Sequence, residues 1–183
     1  MTDKEIPTLT SSRLILRALT LNDAESIFEY ANNEAVAKYV FWEPHQTIED
    51  SINFVSQINK SDELMWGIQL KDNPKIIGTC GFITYNSITK CLTIGYALNQ
   101  NYWTKGYTKE ALSMLIDYAF NNLDTIRIEG ICVVDNIASE KVMLSCNMEF
   151  EGILHDNFIK GTDIHDCKLF AITKRNYLAN LKK

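Results

Sequence analysis

Ile94-Gly95-Tyr96-Ala97-Leu98-Asn99-Gln100-Asn101-Tyr102-Trp103-Thr104-Lys105-Gly106-Tyr107-Thr108-Lys109-Glu110-Ala111 is the stretch that decides the fold. It reads as the end of a strand, a short loop and the start of a long amphipathic helix. Over residues 106–122, Ala111, Leu112, Leu115, Tyr118 and Ala119 fall on one stripe. First-turn amides of a helix have no intrahelical acceptor and lie at the positive end of its dipole. A loop that offers such amides to a phosphate makes an anion site. Gly106 lets a phosphate come close to the backbone, and Lys105 adds a point charge. Taken alone, the glycine reads better as the opening of a surface helix. It is not a P-loop, because the G-x-x-x-x-G-K-[ST] spacing is absent.

The pattern on either side of this stretch is different. Upstream, residues 12–18 alternate polar and apolar with period two, as a half-buried strand does. Asn22 is placed to cap a helix from Asp23 that carries Ile27, Phe28 and Ala31 inward. Thr47 is placed to cap a second helix over 48–59, with Ile52, Val55 and Ile58 on one face. Strands over 64–70, 76–85 and 91–98 follow as an antiparallel meander, since each connection is too short for a crossover helix. Downstream come a strand over 125–134, a short helix over 137–146, and a strand pair over 150–155 and 165–173. Strands first and mixed elements later predict an α+β class, with a mixed sheet and helices on both faces.

Composition bounds the function. The chain has 183 residues, 46% hydrophobic and 22% charged, with 3 Pro and 8 Gly. That predicts a single domain over residues 1–183 and excludes collagen-like and low-complexity classes. Eighteen Lys+Arg against 23 Asp+Glu give a net charge of −5, unlike a protein that relies on nucleic-acid phosphate contacts. The N-terminal residues lack the apolar core of a secretory signal, and no apolar run reaches the ~18 residues of a membrane span. Cys80, Cys91, Cys132, Cys146 and Cys167 are odd in number and lack C-x₂₋₄-C spacing, so they read as reduced core thiols of a cytoplasmic protein. His155 and His165 have no ligand partners at metal-site spacing, so no metal is expected.

Several motifs, in order, resemble the GNAT superfamily of N-acetyltransferases, in particular the branch of the ribosomal-protein N-terminal (Rim-type) enzymes. The stretch quoted first is similar to that branch's I-G-Y-x-L strand followed by W-G-K-G-Y-A-T-E-A. Trp103, Lys105, Gly106, Tyr107, Glu110 and Ala111 agree, while Thr104 stands where Gly is usual and Thr108 where Ala or Gly is usual. Ser12-Arg13-Leu14-Ile15-Leu16-Arg17 resembles the opening strand, and Trp42-Glu43-Pro44-His45 the acceptor-side segment. Ile77-Gly78-Thr79-Cys80-Gly81 resembles the third strand, and Asn136-Ile137-Ala138-Ser139-Glu140-Lys141-Val142 the N-x-x-S-x-x-V that follows the fifth.

The resemblance implies a GNAT fold. Its sheet would be mixed and mostly antiparallel, of about seven strands, splayed after the Cys91–Leu98 strand. It implies direct attack of a primary amine, on a protein N-terminus or a small molecule, on acetyl-CoA. Tyr96, Ala97 and Leu98 would bond the pantetheine, with the Leu98 amide at the thioester carbonyl. Trp103, Thr104, Lys105, Gly106, Tyr107 and Thr108 would hold the pyrophosphate. Asn136 would bond the pantetheine arm, and Ser139 would both contact the cofactor and protonate the thiolate. On the residues alone, Asn136 reads as a helix N-cap and Ser139 as a first-turn hydroxyl. Two usual acid–base positions differ: Thr93 replaces a Glu, and Met143 replaces a Tyr. Glu43, His45 and Glu151 are the candidate proton acceptors, with Glu43 placed in the catalytic set. Tyr39, Phe41 and Trp42 are expected on the core beside the acceptor, with acceptor loops at 31–47 and 156–164. The partners implied are acetyl-CoA and an amine, with no nucleic acid and no membrane, in a monomer or homodimer. The alternative is a CoA-binding sensor or partner module that has lost catalysis.

Overall fold

The computed structural model describes residues 6–181. They group into two compact units. One holds the described residues up to Ile83 with Gly95–Met114, the other Thr84–Ile94 with the described residues from Leu115 on. In chain order the elements begin with strands β1 (Leu9–Thr10) and β2 (Leu14–Arg17). Helices α1 (Ala24–Ala31), α2 (Glu34–Ala37) and α3 (Ile48–Lys60) follow. Next come β3 (Leu64–Leu70), β4 (Ile76–Asn86), β5 (Cys91–Leu98) and the long helix α4 (Tyr107–Asn122). The chain continues through β6 (Arg127–Val133), α5 (Ile137–Ser145), β7 (Glu149–Lys160), β8 (Asp163–Thr173) and α6 (Lys174–Asn180). Hydrogen bonds order the strands β1-β2-β3-β4-β5-β6-β8-β7 in one eight-stranded sheet. The β1–β2, β2–β3, β3–β4, β6–β8 and β8–β7 pairs are antiparallel and β5 pairs with β6 in parallel, which makes the mixed α+β sheet expected, with one strand more. The extra strand is β1, two residues registered on β2 as Leu9↔Leu16 and Thr10↔Ile15, too short to show periodicity.

In the first unit the alternation of β2 does what it predicts: Leu14 and Leu16 are fully buried. The start of α1 differs from expectation. Thr20 caps a 3₁₀ turn over Leu21–Asp23 that precedes the helix, and Asp23, not Asn22, stands at the N-cap of α1. The Asp23 carboxylate accepts from the Thr20 amide and hydroxyl and from both Arg17 Nη atoms at 2.7 and 2.9 Å. Burial would raise the Asp23 pKa, but the Arg17 and Thr20 bonds hold it below its ordinary value. On α3 the inward face carries Ser51, Val55 and Ile58, while Ile52 is exposed. Leu19, Ile27, Tyr30, Val55, Met65 and Ile76 form an apolar cluster, against which Trp42, Phe54, Ile83 and Ala97 are half-buried. Trp42 therefore lies on the core as expected. Phe41 does not: it is 80% exposed.

In the second unit β5 and β6 register over only three pairs, Cys91↔Arg127 to Thr93↔Glu129, so the pairing stops part-way along β5. The last two strands run longer than expected. Residues 156–160 and 163–164 belong to β7 and β8, so most of the expected loop is hairpin. Polar Asp156 and Asn157 hide the alternation, and a register shift between Leu154 and Phe158 accompanies the left-handed φ of 53° at Asp156. Helix α6 was not expected; Thr173 caps it by accepting from the Asn176 amide.

Gly81 on β4 sets a tight contact in the first unit: a Cβ there would lie 2.2 Å from the Leu64 carbonyl oxygen. Backbone cannot yield as a flexible side chain can. Gly81→Ala is expected to cost about 2 kcal/mol through overpacking, seen as a Tm about 4–8 °C lower in a thermal melt.

Candidate active site

The loop between β5 and α4 lies within the first unit. Leu98 is buried, and Tyr96 and Ala97 are half-buried. Gly78 on β4 makes room for them, since a Cβ there would meet the Ala97 carbonyl oxygen at 2.4 Å. After Leu98 the chain is folded back by its own side chains. Asn99 caps a 3₁₀ turn by accepting from the Asn101 amide, and the Trp103 indole N–H donates to the Leu98 carbonyl at 2.7 Å. Lys105 Nζ donates to the Asn101 carbonyl at 2.9 Å and lies over the Tyr102 ring. The predicted point charge is thus tethered at the loop.

Thr104 and Gly106 both have left-handed φ, 62° and 78°, with Lys105 between them outside that region. Alternating conformations of this kind turn successive amides to one side as an anion nest. Gly106 therefore lies before the helix rather than in it, and its carbonyl accepts the first helical bond, from the Glu110 amide. Thr104 holds this conformation despite a branched Cβ, which costs about 1–2 kcal/mol. The family's usual Gly at this position is explained by the same φ. The amides of 104–108 donate to no described residue.

The loop is clamped from the turn between β1 and β2, a contact the sequence reading did not find. Glu110 accepts from the Ser11 hydroxyl at 2.6 Å, the Ser12 hydroxyl at 3.1 Å, the Arg13 amide at 3.0 Å and Arg13 Nε at 2.7 Å. Arg13 Nη1 also donates to the Lys105 carbonyl, and the guanidinium lies 4.6 Å over the Tyr107 ring. Burial would raise the Glu110 pKa, but the bonds from Ser11, Arg13 and Ser12 bring it down to about 2. The signal was present in the two motifs that carry Arg13 and Glu110, read separately.

On the acceptor-side segment Glu43 is exposed. His45 is half-buried between Trp42 and Phe54, with Nδ1 2.8 Å from Ser51 Oγ.

In the second unit Asn136 caps α5 by accepting from the Ser139 amide at 3.1 Å, the role its residue type suggested. The Ser139 hydroxyl is in hydrogen-bonding reach of the Cys132 thiol, whose pKa burial pushes up to about 11 against Ser139 and Lys168. Met143 is core: it is buried, and its Sδ would sit 2.7 Å from a Cβ added at Gly130. Glu151 is paired with Arg127, whose hydrogen bond holds the carboxyl below its ordinary range, so it makes a poor proton acceptor. The Thr93 hydroxyl accepts from Thr84 at 2.8 Å. Among the described residues no group of three His, Cys, Asp or Glu is placed to hold a metal.

A sequence profile of the acetyltransferase (GNAT) domain matches residues 13–149. The chain belongs to the GNAT acetyltransferases. The uncharacterized N-acetyltransferase YoaA of Bacillus subtilis is 31% identical over 172 residues, 92% of this chain and 97% of YoaA. A GNAT-family acetyltransferase structure from Bacillus anthracis is 27% identical, with TM-score 0.84 over 92% of this chain and 99% of that one. The Microcin C7 self immunity acetyltransferase MccE, in complex with acetyl-CoA and AMP, is 25% identical, with TM-score 0.81 over 89% and 93%. The GNAT chain described here is an acetyl-CoA-dependent N-acetyltransferase. The nest of amides over 104–108 and the cationic Lys105 fit an anionic donor of this kind.

The Glu110 clamp makes stability depend on pH. Its folded pKa is depressed, so the stabilisation is present above the ordinary value of 4.5 and is lost as pH falls toward 2. Half-exposed Arg13 screens part of it. Glu110→Gln is expected to lose on the order of 1–2 kcal/mol at pH 7. The gap from wild type should close between about pH 5 and pH 2 in urea titrations.

Proposed function

We propose that this acetyltransferase acts on a primary amine, at a protein N-terminus or on a small molecule, and lies in the Rim-type branch. The observation that carries this reading is the amide nest over 104–108, set between Trp103 and the Glu110 clamp. It supports placing the donor's pyrophosphate on residues 104–108, with Trp103 closing the loop and Lys105 adding charge. From the resemblance we carry Tyr96 and Ala97 to the pantetheine and the Leu98 amide to the thioester carbonyl. There it would stabilise the developing oxyanion. Asn136 is carried to the pantetheine arm through its amide nitrogen, since its oxygen caps α5. Ser139 is carried to the cofactor as proton donor to the leaving thiolate. Glu43, exposed on the acceptor-side segment, is carried forward as the carboxylate that takes the ammonium proton. Five free cysteines fit a reducing cytoplasm, and the acceptor chemistry needs no membrane or nucleic acid.

Two measurements test the assignment. Acetyl-CoA at about 100 times its Kd should stabilise the fold by ~2.7 kcal/mol, a Tm rise on the order of 5–10 °C. Gly106→Asp puts a carboxylate at the nest and should abolish that rise while the unliganded protein still melts cooperatively. A full rise in this variant would move the phosphate site elsewhere. Ser139→Ala is expected to lower kcat, read as thiol release with a panel of amines and peptides, with little change in acetyl-CoA affinity. An unchanged kcat would remove Ser139 from the chemistry. Binding without turnover on any acceptor would favour the sensor reading.

A further inference from the structure

The hydrogen bonds of His45 settle which face of its ring can act. Ser51, on α3, is fully buried, and His45 Nδ1 is the one hydrogen-bond partner of its hydroxyl among the described residues. A buried hydroxyl with one partner gives it the proton, because an undonated O–H in the core is costly. Nδ1 is therefore the acceptor, and the proton of the neutral ring sits on Nε2. Nε2 bonds to no described residue. Among those residues no buried side-chain nitrogen or oxygen lacks a partner, so Nε2 reaches solvent. The loop that carries it is pinned: the His45 amide donates to the Ala31 carbonyl at 3.0 Å. The amides of Gln46 and Thr47 donate to Asp50 at 2.9 Å each.

The ring is a neutral donor near neutral pH. Burial lowers its pKa, against the pull of Asp50 on α3, with Glu43 the other carboxylate on the same segment. It is also well placed. Trp42 and Phe54, which flank it, sit on the same apolar cluster as Ala97, the β5 residue carried to the donor above. A protonated Nε2 cannot take a proton from the attacking amine, so it leaves that role to another group.

We propose that His45 selects the acceptor: its Nε2–H donates to an oxygen beside the reacting amine. Preferred substrates are then amines with an adjacent carbonyl, as at a peptide N-terminus, rather than polyamines. This deepens the acetyl-transfer reading and rests on it. A neutral N–H suits a carbonyl oxygen and offers nothing to a second ammonium group.

The test has an arm that needs no acceptor. Long-range ¹H–¹⁵N NMR at pH 7.5, with His45 assigned by its loss in His45→Phe, should show the Nε2-protonated tautomer; the Nδ1-protonated one overturns the proposal. The kinetic arm uses the tripeptide amide Ser-Ala-Ala and spermidine as probes. His45→Phe keeps a ring between Trp42 and Phe54 but removes the donor. It should raise KM for the tripeptide about 5- to 30-fold, raise it distinctly less for spermidine, and be partly rescued by His45→Gln. Equal losses on both probes, no loss on the tripeptide, or a wild type that acetylates spermidine and not the tripeptide each overturns it. The acetyl-CoA-induced Tm rise is the separate control: its absence in wild type counts against the donor-site reading, not against His45.

Discussion

The Glu110 carboxylate is the fixed point of the donor loop. Four donors from residues 11–13 converge on it, and one of them, Arg13, reaches on to the Lys105 carbonyl and the Tyr107 ring. An anion nest works only if its amides are held together before the anion arrives. Isolated first-turn amides attract phosphate weakly and would pay to be ordered. The clamp reduces that cost by tying the start of α4 to the turn before strand β2. At the proposed site the attraction for an anionic donor would be local, from oriented dipoles and a tethered lysine, in a protein whose net charge is −5.

Much of this was legible in the sequence. Strand β5 and helix α3 stand within a residue of where their periodicity puts them, because a stripe or alternation of apolar residues leaves few choices. The β5–α4 loop was legible as a motif, but the left-handed φ that Thr104 adopts there was not. Contacts between distant segments were not legible. Nothing local to Arg13 says that it meets Glu110, almost a hundred residues away. Nothing local to Ser51 says that it turns inward in place of Ile52 to hold an imidazole. Polar residues buried in pairs break the pattern that periodicity reads, and they gather where a site is being set up.

The residues after β6 divide between structure and chemistry. Asn136 spends its oxygen on the cap of α5, which orients the first turn of that helix, where Ser139 lies. Met143 is core, packed against Gly130. A buried thioether cannot supply a proton. On the reading proposed above, cleavage of the thioester would rely on a weaker acid such as Ser139, on solvent or on oriented dipoles. Thiolate is a fair leaving group near neutral pH, with a pKa near ~8.5, so the loss of a strong acid is tolerable in this reaction where it would not be for an alkoxide.

Thr104 carries a consequence for how the loop can evolve. A branched residue at a φ of 62° makes the free protein slightly less stable, yet it narrows the set of shapes that the free loop visits. Glycine at the same site relaxes the strain and widens that set. Folding stability and readiness to receive an anion therefore pull in opposite directions at one position. Threonine at this position gives up a little folding stability for a loop held closer to one shape.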